Sequence, residues 1–344
     1  MTTTLRIGLL GAATIAPAAL IKPARQDPRV RVTAVAARDR GRAEAFARKH
    51  DVPVVHSDYD ALLTDPQIDA VYIPLPNALH AHWTLKALDA GKHVLCEKPF
   101  TANRAEAEQV AEAADAAHAR TGLVVMEAFH YRHHALSARL LEIVRSGELG
   151  TLRRVEAEVC FPLPRFNDIR YDYGLAGGAT MDAGCYAVHV ARLLGGATPE
   201  VTAAHLLTLR KDPRIDRAME AELAFPGGAT GRLRASMWSR RVLSIRARAI
   251  GSQGELTVTN FLMPQLYHRL TVRTTSGPDR PTTRHERVAR QPSSYACQLS
   301  AFAAAVLDGD PVLTSARDAV ETMGVIDGIY RTGGLPPRGE AGPS

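Results

Sequence analysis

The sequence predicts an α/β chain of two domains: a doubly wound parallel sheet, then an α+β domain with a large, mostly antiparallel open sheet. Three observations carry this. Up to about residue 130, short apolar runs alternate with helical patterns, as strands covered on both faces require. Beyond Arg132 the period switches to two, with one charged face. A length of 344 residues also exceeds what a single core usually organises. The expected division is 1–128, 129–331 and a loose glycine- and proline-rich tail at 332–344.

The first strand is the apolar run from residue 5 to 10; it breaks at Gly11 and resumes as a helical pattern near Ile15. Strands follow at residues 30–37, 53–55, 69–74, 92–97 and 123–129. Between them lie helices at 41–50, 59–63 and 77–90, and one that starts at the Asn103/Glu106 capping-box spacing and runs to Gly122. In the second half a helix at 136–146 leads to a strand at 152–161, where Val155, Ala157 and Val159 alternate with Glu156 and Glu158. A hairpin turns at Pro226-Gly227-Gly228, further strands cover 243–250, 255–259 and 270–274, and helices cover 294–307 and 316–331. The charged sheet face needs solvent, a helix layer or a second copy against it.

Composition excludes several classes. Lys and Arg number 42 against 36 acidic residues, a net +6, but the arginines are scattered rather than gathered in a nucleic-acid-binding stripe. The apolar stretch from Leu9 to Ile21 is broken by Pro17 and too short for a bilayer, and residues 1–6 lack signal-peptide character. Cys96, Cys160, Cys185 and Cys297 form no C-x-x-C pair, so free thiols and a cytoplasmic setting are expected. The histidines around His130 have no carboxylate or cysteine at ligand spacing, so no metal site is expected.

The turn Gly11-Ala12-Ala13-Thr14-Ile15-Ala16 lies between the first strand and first helix, where a dinucleotide pyrophosphate meets helix N-terminal N–H groups. The second strand ends Val35-Ala36-Ala37-Arg38, with no acid for a ribose 2′-hydroxyl; Asp39 next door could still turn inward. Arg38 suits a 2′-phosphate, which favours NADP(H) over NAD. Lys98, in Cys96-Glu97-Lys98-Pro99, stands at the carboxyl end of a parallel strand, where ligands of such sheets bind. Asn77 and His80 follow another strand end and could cap the next helix or touch the cofactor. Asp182, Tyr186 and His189 share one face of an otherwise small or apolar helix, a polar stripe that needs partners or a ligand.

These motifs, with Pro74-Leu75-Pro76-Asn77-Ala78-Leu79-His80, Ala90 to Pro99 and Gly177 to Tyr186, resemble the glucose-fructose oxidoreductase and inositol dehydrogenase family (Gfo/Idh/MocA) over about residues 5–330. Within it, Met126 to Arg132 and a tyrosine at 186 are most similar to the NADP-dependent aldose (xylose-type) and dihydrodiol dehydrogenase branch. The resemblance implies a Rossmann domain with cofactor contacts by Gly11, Ala13, Thr14, Ile15, Arg38, Leu75, Asn77, His80, Glu97, Lys98 and Arg132. It implies Lys98 and Tyr186 in proton transfer, with Asp182 as a catalytic and substrate-binding acid and Asp168 and Arg170 on the substrate side; His189, where many relatives have Asp or Asn, is expected to bind substrate there too.

The expected reaction is hydride transfer between nicotinamide and a CH–OH or C=O carbon of a sugar, polyol or cyclic diol. A tyrosine ordinarily titrates near 10, and a nearby cationic Lys98 would lower it. Two other readings stand: a ketoreductase of a nucleotide-linked deoxysugar, for which Arg153, Arg154, Arg165 and Arg170 could supply a basic cleft, and a non-catalytic dinucleotide-sensing regulator. A homodimer or homotetramer through the open sheet is expected, with no nucleic-acid or membrane partner.

Overall fold

The computed structural model describes residues 4–275, 281–289 and 291–340. Two compact units divide the chain. One comprises residues up to Thr101, Ala105–His133 and Pro292–Val320; the other comprises Ala102–Arg104, His134–Gln291 and the residues from Glu321. His130–His133 and Pro292–Val320 thus group with the first unit rather than beyond a boundary at residue 128.

The first unit is built on strands β1 (Leu5–Leu10), β2 (Val30–Ala36), β3 (Val54–Val55), β4 (Ala70–Ile73), β5 (His93–Cys96) and β6 (Val125–Glu127), all parallel, in the order β3-β2-β1-β4-β5-β6. The strands are mostly apolar and buried, as coverage on both faces requires, with Arg6 and Arg31 near the starts of β1 and β2 among the charged exceptions. Order reverses on either side of β1, the switch point at which ligands of such sheets bind. The first helical segment opens as a π-turn at Pro17–Ile21 and tightens into an α-turn at Lys22–Ala24. The apolar helix Ser294–Leu307 places Leu299, Phe302 and Ala303 in the same core as Leu5, Leu9, Leu20 and Tyr72, which is why this late segment belongs to the first unit. Thr314 ties it to β6: Glu127 N donates to the Thr314 carbonyl at 2.9 Å and Thr314 Oγ1 to the Glu127 carbonyl at 2.7 Å.

The second unit holds β7 (Leu152–Cys160), β8 (Glu200–Thr208), β9 (Asp216–Ala224), β10 (Thr230–Ser236), β11 (Ser244–Gly251), β12 (Gly254–Thr259), β13 (Arg269–Thr274) and β14 (Thr282–Glu286) in the order β14-β13-β12-β11-β7-β10-β9-β8. Among the described residues of this unit only β7 and β10 pair in parallel. Val155, Ala157, Val159, Leu233, Ala235, Ala247 and Ala249 are buried on one face, on the strands that the helix Cys185–Gly195 packs against. The other face carries alternating charges: Arg248 bridges Glu156 (2.9 Å) and Glu255 (2.6 Å), Arg234 lies 3.4 Å from Glu158, and Arg232 lies 2.9 Å from Glu220. β8 and β14 had no counterpart among the expected strands; both are edge strands.

The segment expected to be a loose tail is anchored: Arg338 is 0% exposed. Residues 341–344 lie outside the described residues. No helix among the described residues is long and apolar enough to cross a membrane.

Candidate active site

In the first unit the site grows from the end of β1. Gly11 has φ +104°, which L side chains rarely adopt, and an added Cβ would lie 3.0 Å from Leu75. The turn closes through Ala13 N to the Gly11 carbonyl at 2.9 Å. Thr14 and Ile15 are exposed and Ala13 partly so, which leaves the turn open to a ligand.

At the end of β2, Asp39 is the N-cap of the helix Arg40–His50: its Oδ1 accepts the Arg42 N–H at 2.8 Å. The carboxylate that could have turned toward a ribose is therefore committed to the helix. The Arg38 and Arg42 side chains are exposed, and neither has an ion-pair partner among the described residues. Both guanidinium charges reach the half-buried phenol of Tyr59, whose pKa burial pushes up and which hydrogen-bonds with the Arg38 backbone. Sequence reasoning missed Arg42 and Tyr59.

Glu97 and Lys98 follow β5. Tyr72 donates its hydroxyl to Glu97 Oε1 at 2.6 Å, and Lys98 N lies 3.3 Å from Glu97 Oε2. The Lys98-Pro99 bond is cis. His80, expected to touch the cofactor, is 0% exposed, and its two ring nitrogens lie 2.8 Å from the carbonyls of Leu75 and Pro99. It has no nitrogen left for a ligand. Its place is to tie the loop carrying Leu75 and Asn77 to the loop carrying Lys98. Burial pushes its pKa down, the Lys98 charge acting the same way and the two carbonyls opposing. Asn77 opens a short 3₁₀ turn whose cap position is Pro76, so it is not the helix cap.

Arg132 lies in the 3₁₀ turn His130–His133. His130 in that turn is buried, with Nδ1 2.9 Å from Ser294 Oγ and its ring 4.1 Å from that of Tyr295. Burial takes its pKa down to about 3, with Lys98 contributing. The Tyr295 phenol is pushed well up, first by burial and then by the Glu97 charge. Tyr295 was invisible in the sequence because the helix that carries it, Ser294–Leu307, lies far along the chain from β6.

In the second unit Asp182 lies in a π-turn, Thr180–Gly184, that opens the helix Cys185–Gly195; Tyr186 and His189 lie on that helix and are buried. Arg170 Nε lies 3.2 Å from Asp182 Oδ1 and its Nη1 3.1 Å from Asp168 Oδ1. Asp182 first, then Asp168, holds the guanidinium charged. The structure thus brings Asp168, Arg170 and Asp182 together. Among the described residues, no group of three or more His, Cys, Asp or Glu side chains could hold a metal ion.

Comparison with known proteins decides the family. Residues 5–125 match the oxidoreductase family with NAD-binding Rossmann fold, and residues 137–257 match the GFO/IDH/MocA C-terminal domain. The chain belongs to the GFO/IDH/MocA oxidoreductase family. It is 38% identical over 330 residues to an NADP(+)-dependent D-xylose 1-dehydrogenase of Haloferax volcanii, covering 94% of this chain and 96% of that one. It is 37% identical over 305 residues to a dTDP-3,4-didehydro-2,6-dideoxy-alpha-D-glucose 3-reductase of Streptomyces violaceoruber, covering 88% and 85%. A 3-ketoreductase from Actinomadura kijaniata, solved with NADP and TDP-benzene, superposes with a TM-score of 0.84 at 31% identity, covering 96% and 98%. Variants of that reductase with a tyrosine changed to phenylalanine and a lysine changed to alanine have also been solved. The expected family and the two-sheet architecture are therefore confirmed.

Proposed function

We propose that this chain is an NADP(H)-dependent oxidoreductase of a free aldose, or of a related polyol or cyclic diol. The observation that carries the reading is the allocation of charge after β2: Asp39 caps a helix while Arg38 and Arg42 remain unpaired beside Tyr59. Two free guanidinium groups fit a 2′-phosphate dianion, and Gly11 gives the backbone the close approach that a pyrophosphate needs. When bound, the nicotinamide supplies or takes up the hydride. The residues handle everything else. Lys98 supplies positive charge that stabilises negative charge developing on the substrate oxygen, and Tyr186 gives or takes the hydroxyl proton. Asp182, held by Arg170, and Asp168 offer acceptors to sugar hydroxyls.

The likeness to deoxysugar 3-ketoreductases favours a second reading, in which the substrate carries a nucleoside diphosphate. Charge pairing removes two of its four candidate arginines. Arg170 is neutralised by two carboxylates, and Arg154 is spent on Glu156 and Glu222. Parallel assays at 340 nm with NADP⁺ and NAD⁺ against D-xylose, other aldoses, inositols and trans-diols test the first reading. Turnover only with a dTDP-linked ketosugar would replace it with the second, and tight NADPH binding with no turnover of either class would point to a sensor.

The alternating charges on the second sheet form a self-complementary face, which supports a homodimer or homotetramer; sedimentation velocity at low and high salt tests it. Buried thiols at Cys96 and Cys160 support a reducing, cytoplasmic setting.

A further inference from the structure

We infer that Arg338, with Asp216, is the positioning device of the substrate-side helix, an inference that rests on the roles proposed above for Asp182 and Tyr186. Both side chains are fully buried, and they pair at 2.8 Å. Asp216 accepts on both oxygens: Oδ1 from Arg338 Nη2 and from Tyr330 Oη at 2.9 Å, Oδ2 from Thr180 N at 2.6 Å and Thr180 Oγ1 at 2.8 Å. Arg338 Nε donates to the Gly177 carbonyl at 2.7 Å, and its guanidinium lies over the Tyr330 ring at 4.1 Å. Its own carbonyl accepts from Asn103 Nδ2 at 2.8 Å.

These contacts converge on one turn. Gly178 has φ +136°, and a Cβ there would collide with Asp216 and Arg338. Gly178 N donates to the Arg170 carbonyl at 2.8 Å, and a Cβ on Gly177 would lie 2.6 Å from that same oxygen. The pair therefore fixes where the glycine turn sits, where the π-turn beginning at Thr180 starts, and the backbone of the arginine that holds Asp182. A buried ion pair is a weak source of net stability, and Arg338 Nη1 has no hydrogen-bond partner, so its chief product is geometry. Arg338 touches no reacting atom in this account; it is a positioning residue.

The test uses the full chain with Arg338→Lys, which keeps a positive charge beside Asp216 but replaces the planar fork that spans Asp216 and the Gly177 carbonyl with a single point charge. The double variant Arg338→Met/Asp216→Leu removes both buried charges and serves if the single variant does not fold. The readouts are hydrogen exchange of residues 177–186 by mass spectrometry, NADPH affinity, and steady-state kinetics with D-xylose. The expected result is exchange in 177–186 faster by about tenfold or more, segments of the first unit unchanged, and NADPH affinity unchanged. The KM for D-xylose should rise by about tenfold while kcat changes less. Wild-type exchange in 177–186 overturns the inference, as does a rise spread evenly over both units, which would show loss of stability alone. If the wild-type chain does not turn over D-xylose, the substrate reading fails while exchange still decides the positioning role.

Discussion

Asp39 Oδ1 accepts the backbone N–H of Arg42 at 2.8 Å, and this one bond bears on cofactor choice. An acid beyond β2 would ordinarily take the ribose hydroxyls of NAD; here it is turned into a helix cap. Arg38→Ala should raise the KM for NADP⁺ by roughly 5- to 30-fold, about 1–2 kcal/mol for an exposed charge-assisted contact, and leave that for NAD⁺ unchanged. Arg38→Ala/Arg42→Ala should lose more, and the NADP⁺ preference of the wild type should weaken with added salt. An equal effect of Arg38→Ala on both cofactors would remove the arginine from the phosphate site.

His80 should prove structural. Replacing it with leucine strands in the interior whichever of the Leu75 and Pro99 carbonyls receives its N–H, at about 1–3 kcal/mol. Denaturant unfolding should show a stability loss of about 1–3 kcal/mol, and NADPH affinity should fall because the Leu75 and Lys98 loops lose their tie. A variant with weakened NADPH binding and unchanged stability would restore His80 to direct cofactor contact.

The alternation of strands and helices was legible because burial on both faces leaves uninterrupted apolar runs, and the β9–β10 hairpin because one buried face leaves a period of two. Other features had no local signal. β14, Thr282–Glu286, is an edge strand without a buried residue, and β8 contains Ala203-Ala204 and two register shifts that blur its alternation. Whether Asp39 faced a ribose or a helix could not be read from a neighbouring pair of residues, since either use suits a carboxylate. Arg338 sits among glycines and prolines, and its partner is 122 residues away, so a buried anchor looked like a tail.

His130 should give the fold an acid-side weakness. Its folded pKa is about 3 against an ordinary 6.5, so the unfolded chain takes the proton first. Stability from this group is complete above about 6.5 and is lost as pH falls from there toward 3, by up to about 1.4 kcal/mol per pH unit. His130→Asn should remove one proton's worth of that slope in melting temperature against pH between 4 and 6.5, compared with the wild type. An unchanged slope would mean the ring is protonated in the fold.

Lys98 and Tyr186 should separate chemistry from binding. Lys98 stands one residue after a carboxylate already held by Tyr72, so removing its ammonium leaves the Glu97 anchor in place. Tyr186 is buried on the helix Cys185–Gly195, where loss of one hydroxyl removes no packing atom of the ring. Tyr186→Phe and Lys98→Ala should each lower kcat by about 10²–10⁴, the range for a positioned proton-transfer group, while NADPH titrates with wild-type affinity in Tyr186→Phe. The two losses should not add, because groups acting on one proton transfer form a unit: the double variant should be little slower than the worse single one. Wild-type turnover in either single variant removes that residue from the reaction, and fully additive losses mean that the two act on separate steps.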